Sequence, residues 1–89
     1  MAYTVHFSSA ADRQFRNLPE EVRLRFQPLI RALADDPHPV PPTGKKLRGF
    51  DDTYRLAVGS WRVVYEIHKR EVLVLVVWAG DRRDAYRRK

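Results

Sequence analysis

The sequence predicts an α+β domain, with an N-terminal strand and a helical hairpin packed on one face of an antiparallel β-sheet. Two segments of helical periodicity in the first half support this reading. So does a stretch of alternating, then continuous, apolar residues in the second half. Eighty-nine residues suit one domain, spanning 1–89, since domains usually run to roughly 100–200 residues. A chain this short buries about 60% of its unfolded surface, enough for one modest core.

Tyr3, Val5 and Phe7 alternate along a first short strand. Ser9-x-x-Asp12 reads as a capping-box-like start, in which the hydroxyl accepts an early helix N–H and the carboxylate reaches back. The helix it opens runs to about Asn17, with Ala11, Phe15 and Leu18 at helical spacing. Leu18-Pro19 ends it, because a residue before proline avoids helical angles. Pro19 then suits the first turn of a second helix, whose Glu20 and Glu21 complement the positive end of its dipole. Val22, Phe26, Leu29, Ile30 and Leu33 mark its apolar face. Pro28 lies within that period and predicts a kink rather than a break. Four of the six prolines fall in Asp35–Thr43 (DDPHPVPPT), a stiff extended connector.

The second half reads as a three-stranded meander. Tyr54–Val58 is followed by a Gly59-Ser60 turn, then Trp61–His68, a Lys69-Arg70 turn, and Glu71–Trp78. The first turn pairs Val58 with Trp61, Ala57 with Arg62 and Arg55 with Val64. A two-residue loop at 69–70 would pair Arg62 with Val77. With a side-chain period of two, Tyr54, Leu56, Val58, Trp61, Val63, Tyr65, Ile67, Val74, Val76 and Trp78 form one apolar face for the helices to cover. The other face carries Arg55, Ala57, Arg62, Val64, Glu66, Leu73, Leu75 and Val77. On this register Trp61 and Trp78 are core residues, not base-stacking platforms.

Composition narrows the function classes. At 44% hydrophobic and 31% charged residues, the chain is too apolar for a disordered tail and too polar for a membrane protein. Its longest apolar run, Val72–Ala79, falls far short of the roughly 20 residues that a spanning helix needs. The start, MAYTVHFSS, lacks the pattern of a signal peptide. The chain has no cysteine, which excludes a disulfide framework or thiolate zinc site and suits a cytoplasmic protein. His6, His38 and His68 show no metal-ligand spacing. Seventeen Lys and Arg against eleven Asp and Glu give +6. Residues 1–44 are balanced, so the whole excess lies in 45–89. Such asymmetry favours a polyanionic partner, nucleic acid above all; the alternative is a solvated surface that keeps a small protein soluble.

Several short motifs recur in one known group. Lys46-Leu47-Arg48-Gly49, Tyr54-Arg55, Trp61-Arg62-Val63-Val64-Tyr65 and Gly80-x-Arg82 with Tyr86 resemble the RelE/ParE superfamily of toxins from bacterial toxin–antitoxin pairs. The Gly80-x-Arg82…Tyr86 segment resembles the RelE branch in particular. That resemblance implies a ribosome-dependent mRNA interferase that cleaves the message in the ribosomal A site. The reaction would be attack of a ribose 2′-OH on the adjacent phosphate, without metal or cofactor. It also implies a cognate antitoxin, the ribosome and mRNA as partners, and no membrane. The alternative is a ParE-like, non-enzymatic inhibitor of DNA gyrase on the same fold.

By the same resemblance, Arg55 falls where a basic residue contacts the mRNA backbone, and Arg62 where an arginine stabilises the pentacovalent phosphate. Arg82 falls at the arginine assigned to transition-state charge or the leaving oxygen. Tyr86 falls at the tyrosine that stacks on the message or orients the nucleophile. Lys45, Lys46, Arg48, Arg83 and Arg87 are the candidates for holding RNA, with solvated surface charges as the alternative. Ala57 and Asp81 depart from the pattern, standing where many members carry lysine and histidine or lysine. Guanidinium does not lose its proton near neutral pH, so no arginine is a general base. Tyr86 and Asp81 are the candidates for that role; the alternative is a site that works by positioning and charge alone. His68 shares the face of Arg62 but lies about 20 Å along the strand at ~3.3 Å per residue.

Overall fold

Ser8 closes the first strand and opens the first helix in one step. In the computed structural model, which describes residues 2–38, 44–47 and 52–85, β1 (Thr4–Phe7) pairs in parallel with β5 (Leu73–Asp81). The ladder's last bond runs from the Ser8 N–H to the Val76 carbonyl, 2.9 Å. Ser8 is therefore still extended (φ −65°, ψ 161°), while its Oγ accepts from the Ala11 N–H at 3.1 Å. It is the N-cap of α1 (Ser9–Arg16). The cap thus falls one residue before the expected Ser9, because the parallel ladder holds Ser8 out of the helix.

α2 (Glu20–Ala32) follows directly, with Pro19 as its cap residue. The helix continues through Pro28. Proline removes the bond to the Leu24 carbonyl one turn back, but Leu24 is 57% exposed, so water can take that bond. The opposite side of α2 buries Val22, Phe26 and Ile30, and Leu33 just beyond it is also buried. Phe7, Phe15 and Phe26 form a chain of tilted rings, with centroids 5.5 and 6.4 Å apart, that joins β1, α1 and α2.

The sheet has five strands in the order β1-β5-β4-β3-β2, made by β2 (Gly44–Lys46), β3 (Thr53–Val58), β4 (Trp61–His68) and β5. The α+β class and the one-sided helical layer are as the sequence predicts. Two strands' places differ from the simple meander. β1 joins in parallel at the β5 edge, and β2 adds an antiparallel edge beside β3. β2 was illegible because Gly-Lys-Lys has no apolar alternation; lysines on a very short strand blunt an edge against unwanted pairing.

The β3–β4 register is as predicted, with Ala57 opposite Arg62 and Arg55 opposite Val64. The β4–β5 register is not. His68 pairs with Leu73 across a four-residue turn, and a bulge follows between Val64 and Tyr65, so Arg62 faces Gly80 rather than Val77. The longer turn preserves the faces; the bulge inverts them. Val76 lies opposite Tyr65 on the core face, but Trp78 lies opposite Val64 on the other face, and Ala79 takes the core position. Past the end of β1, the Ala79 N–H donates to Gln14 Oε1 at 3.0 Å, so a side chain of α1 replaces the missing strand.

Tyr65, fully buried, stacks on Tyr54 (centroids 5.7 Å, 24°) and donates its hydroxyl to the Pro37 carbonyl at 2.8 Å. This bond ties the start of the proline-rich connector to the central strand, and burial pushes the phenol's pKa well up. Tyr65→Phe keeps the ring stack but leaves a buried carbonyl without its donor. We expect a loss of about 1–3 kcal/mol in urea unfolding, with an unchanged denaturant slope.

Candidate active site

The face of the sheet turned away from the helices is built in rows. Lys45, Arg55, Val64 and Trp78 lie side by side across β2, β3, β4 and β5. The next row holds Ala57, Arg62 and Gly80. Arg55 and Arg62 are diagonal neighbours, a relation that places Cβ atoms roughly 7–8 Å apart. Long guanidinium side chains at that separation can reach one common anion. Lys46 pairs with Tyr54 instead, so its register places it on the helix side of the sheet.

Arg62 Nη1 donates to the Gly59 carbonyl at 2.7 Å and to the Trp61 carbonyl at 3.0 Å. Its head is thus drawn toward the β3–β4 turn. Gly59 has φ +59°, and this positive angle at the first turn position suits glycine in a tight hairpin. Ser60, the second turn residue, accepts the Arg82 N–H at 2.7 Å through its carbonyl. Both Arg62 and Arg82 are therefore anchored on one two-residue turn.

Arg82 is the first residue of the short α3 (Arg82–Ala85), which leaves β5 without a loop. Asp81 Oδ1 accepts from the Arg83 N–H at 2.9 Å and from Arg83 Nε at 3.3 Å, and Asp81 Oδ2 accepts from Ser60 Oγ at 3.4 Å. The bond from the Arg83 backbone, with help from its side chain, holds the Asp81 carboxyl below the usual carboxylate range. An acid so stabilised as its anion is a poor proton acceptor, which counts against Asp81 as the base. His68 lies at the far end of β4, with Nε2 2.9 Å from Glu66 Oε1, and takes no part in the arginine cluster.

Arg83 is exposed and engaged with Asp81, and Lys45 is exposed beside Arg55. Arg48, Tyr86 and Arg87 lie outside the described residues. No group of three or more metal-ligating side chains is found among the described residues. Two parts of the site escaped the sequence reading. Trp78 came in through the bulge, which a uniformly apolar strand cannot announce. The capping role of Asp81 did carry a signal, an aspartate just before a short helical turn.

A profile of the ParE toxin of the type II toxin–antitoxin system (parDE) matches residues 5–86. The chain belongs to the RelE/ParE toxin family. The Escherichia coli K12 mRNA interferase toxin RelE is 30% identical over 84 residues, covering 92% of this chain and 85% of the relative. In the intact E. coli RelBE toxin–antitoxin complex, the matching chain superposes with a TM-score of 0.79 at 28% identity, covering 90% of this chain and 96% of that one. The archaeal RelE–RelB complex of Pyrococcus horikoshii gives a TM-score of 0.77 at 25% identity, over 96% and 100% of the two chains.

On this RelE/ParE scaffold, Gly80 gives room to Trp78. A Cβ at Gly80 would lie 2.7 and 2.8 Å from Cη2 and Cζ2 of the indole, closer than carbon atoms approach. Trp78 and Val64 are 9% and 8% exposed, so the ring and the valine make a small dry floor beside Arg62. Gly80→Ala must push the indole aside. We expect a changed near-UV tryptophan signal and a loss of about 1–3 kcal/mol in thermal unfolding, the usual scale for overpacking.

Proposed function

We propose that this protein is the toxin of a type II toxin–antitoxin pair and acts as a ribosome-dependent mRNA interferase. The reading is supported by the diagonal of Arg55 and Arg62 on the uncovered sheet face and by the Gly59-Ser60 turn, which holds the Arg62 head and the backbone amide of Arg82. The name of the E. coli relative, an mRNA interferase toxin at 30% identity, supports the same activity.

The chemistry suits the residues. Attack of a ribose 2′-OH on the neighbouring phosphate forms one P–O bond and breaks the bond to the 5′ oxygen, giving a cyclic phosphate and a 5′-OH. Negative charge accumulates on the equatorial oxygens on the way. Guanidinium forks meet it with paired, charge-assisted donors. Arg62 stabilises the crowded phosphate, Arg82 the charge on that phosphate or the leaving oxygen, and Arg55 holds the backbone beside them. Lys45 extends the same positive row, and Tyr86 is assigned to the message or the nucleophile. A ribosomal target places the protein in the cytoplasm.

The partner follows from the rest of the same face. Leu73 and Leu75 are half-buried and continue it away from the arginines. An acidic, amphipathic antitoxin segment would cover these apolar side chains while neutralising the basic end. The solved RelBE and RelE–RelB complexes support such pairing. The ParE profile match and Ala57 favour a second reading, in which the protein binds DNA gyrase without chemistry.

Primer extension on a defined mRNA in a purified translation mix separates the two. The wild type should cut at codon positions only when ribosomes are present. Arg82→Ala should lower the rate by about 10²–10³-fold, the worth of one preorganised donor. If instead Arg82→Ala cuts as the wild type does, the active-site assignment is wrong. An uncut message together with inhibited gyrase would establish the binding reading.

A further inference from the structure

We propose that Asp81 is a positioning residue: its carboxylate, joined to Ser60, locks the first turn of α3 so that Arg82 is presented beside Arg62. The proposal rests on the interferase reading of the same site. Asp81 stands at the junction of β5 and α3, where the chain changes from strand to helix without an intervening residue. One of its oxygens accepts the Arg83 N–H and Arg83 Nε; the other accepts Ser60 Oγ. Arg82 sits between these contacts, with its own N–H on the Ser60 carbonyl. The backbone of Arg82 is thus fixed from both sides, by its own amide and by the carboxylate that precedes it.

This arrangement has an electrostatic penalty that a purely structural cap elsewhere would not have. A carboxylate at the edge of an arginine cluster subtracts one charge from a surface built to hold a polyanion. Its hydrogen bonds keep it ionised, so the subtraction persists at all physiological pH. Capping and charge can be separated by mutation. Asparagine caps a helix about as well as aspartate but carries no charge; alanine does neither.

The experiment compares wild type, Asp81→Asn, Asp81→Ala and Ser60→Ala in ribosome-dependent mRNA cleavage. Amide hydrogen exchange at Arg82 is followed in the same full-length proteins. Asp81→Ala should lower kcat by about ten- to a hundredfold, the scale of an ångström-sized misplacement, with a smaller change in KM. Asp81→Asn should restore kcat and lower KM by about fivefold, as expected for one fewer repulsive charge near the RNA. Ser60→Ala, a change at an exposed turn that leaves the core intact, should lower kcat in the same direction with KM unchanged. The Arg82 amide should be protected in wild type and Asp81→Asn, and exchange at least about tenfold faster in Asp81→Ala, as for a freed helix end.

Wild-type kcat in Asp81→Ala would overturn the proposal. So would equal losses in Asp81→Ala and Asp81→Asn, which would make the charge itself the working part. If the wild type cuts nothing, the interferase reading has failed. The exchange data then decide the positioning role alone: an Arg82 amide that Asp81→Ala leaves as protected as in wild type overturns it.

Discussion

Everything on both faces of the sheet depends on how β4 pairs with β5. One extra residue in β5 exchanges the two faces for the rest of the strand. Before the bulge, Val74 and Val76 face the helices; after it, Ala79 does. A small residue there lets α1 come close enough for Gln14 to bond the Ala79 N–H. The same shift hands Trp78 to the opposite face, beside Val64 and over Gly80. The core thus gains a close helix contact, and the arginine face gains a rigid apolar floor, from a single irregularity.

The second dependence is on the Gly59-Ser60 turn. Its carbonyls hold the Arg62 head and the Arg82 amide, two groups that are twenty positions apart in sequence. Backbone carbonyls in a short turn have little freedom, so the Arg62 head and the Arg82 backbone inherit the rigidity of the hairpin. On the proposed chemistry, the Arg62 head held in this way needs no rearrangement when charge develops.

Much of this was legible in the sequence. The helical hairpin followed from two apolar periods and the Leu18-Pro19 stop. The β3–β4 register, and with it the diagonal of Arg55 and Arg62, followed from a two-residue turn with glycine at its first position. What was lost had one physical cause. From Val72 to Ala79 every residue is apolar, so no alternation marks which side chain faces which way, and neither the four-residue turn nor the bulge leaves a trace. Strict alternation puts Trp78 on the core face, whereas the bulge puts it opposite Val64 on the other. The short β2 strand was hidden for the opposite reason, as it carries no apolar residue at all. Asp81 has the residue type of a base, whereas its surroundings make it a cap.

The parallel pairing of β1 with β5 joins Thr4 to Leu73, partners separated by most of the described chain. Long-range parallel contacts form late, because a large loop must close before they return any stability. During synthesis β1 and α1 emerge first, yet the strand they both pack against comes after all the other strands. Arg82 follows that strand at once. A growing chain therefore cannot set the Arg82 amide against the Ser60 carbonyl before β5 has paired with β4. Because Arg82 follows β5, the last strand of the sheet, a chain still lacking that strand lacks Arg82 as well.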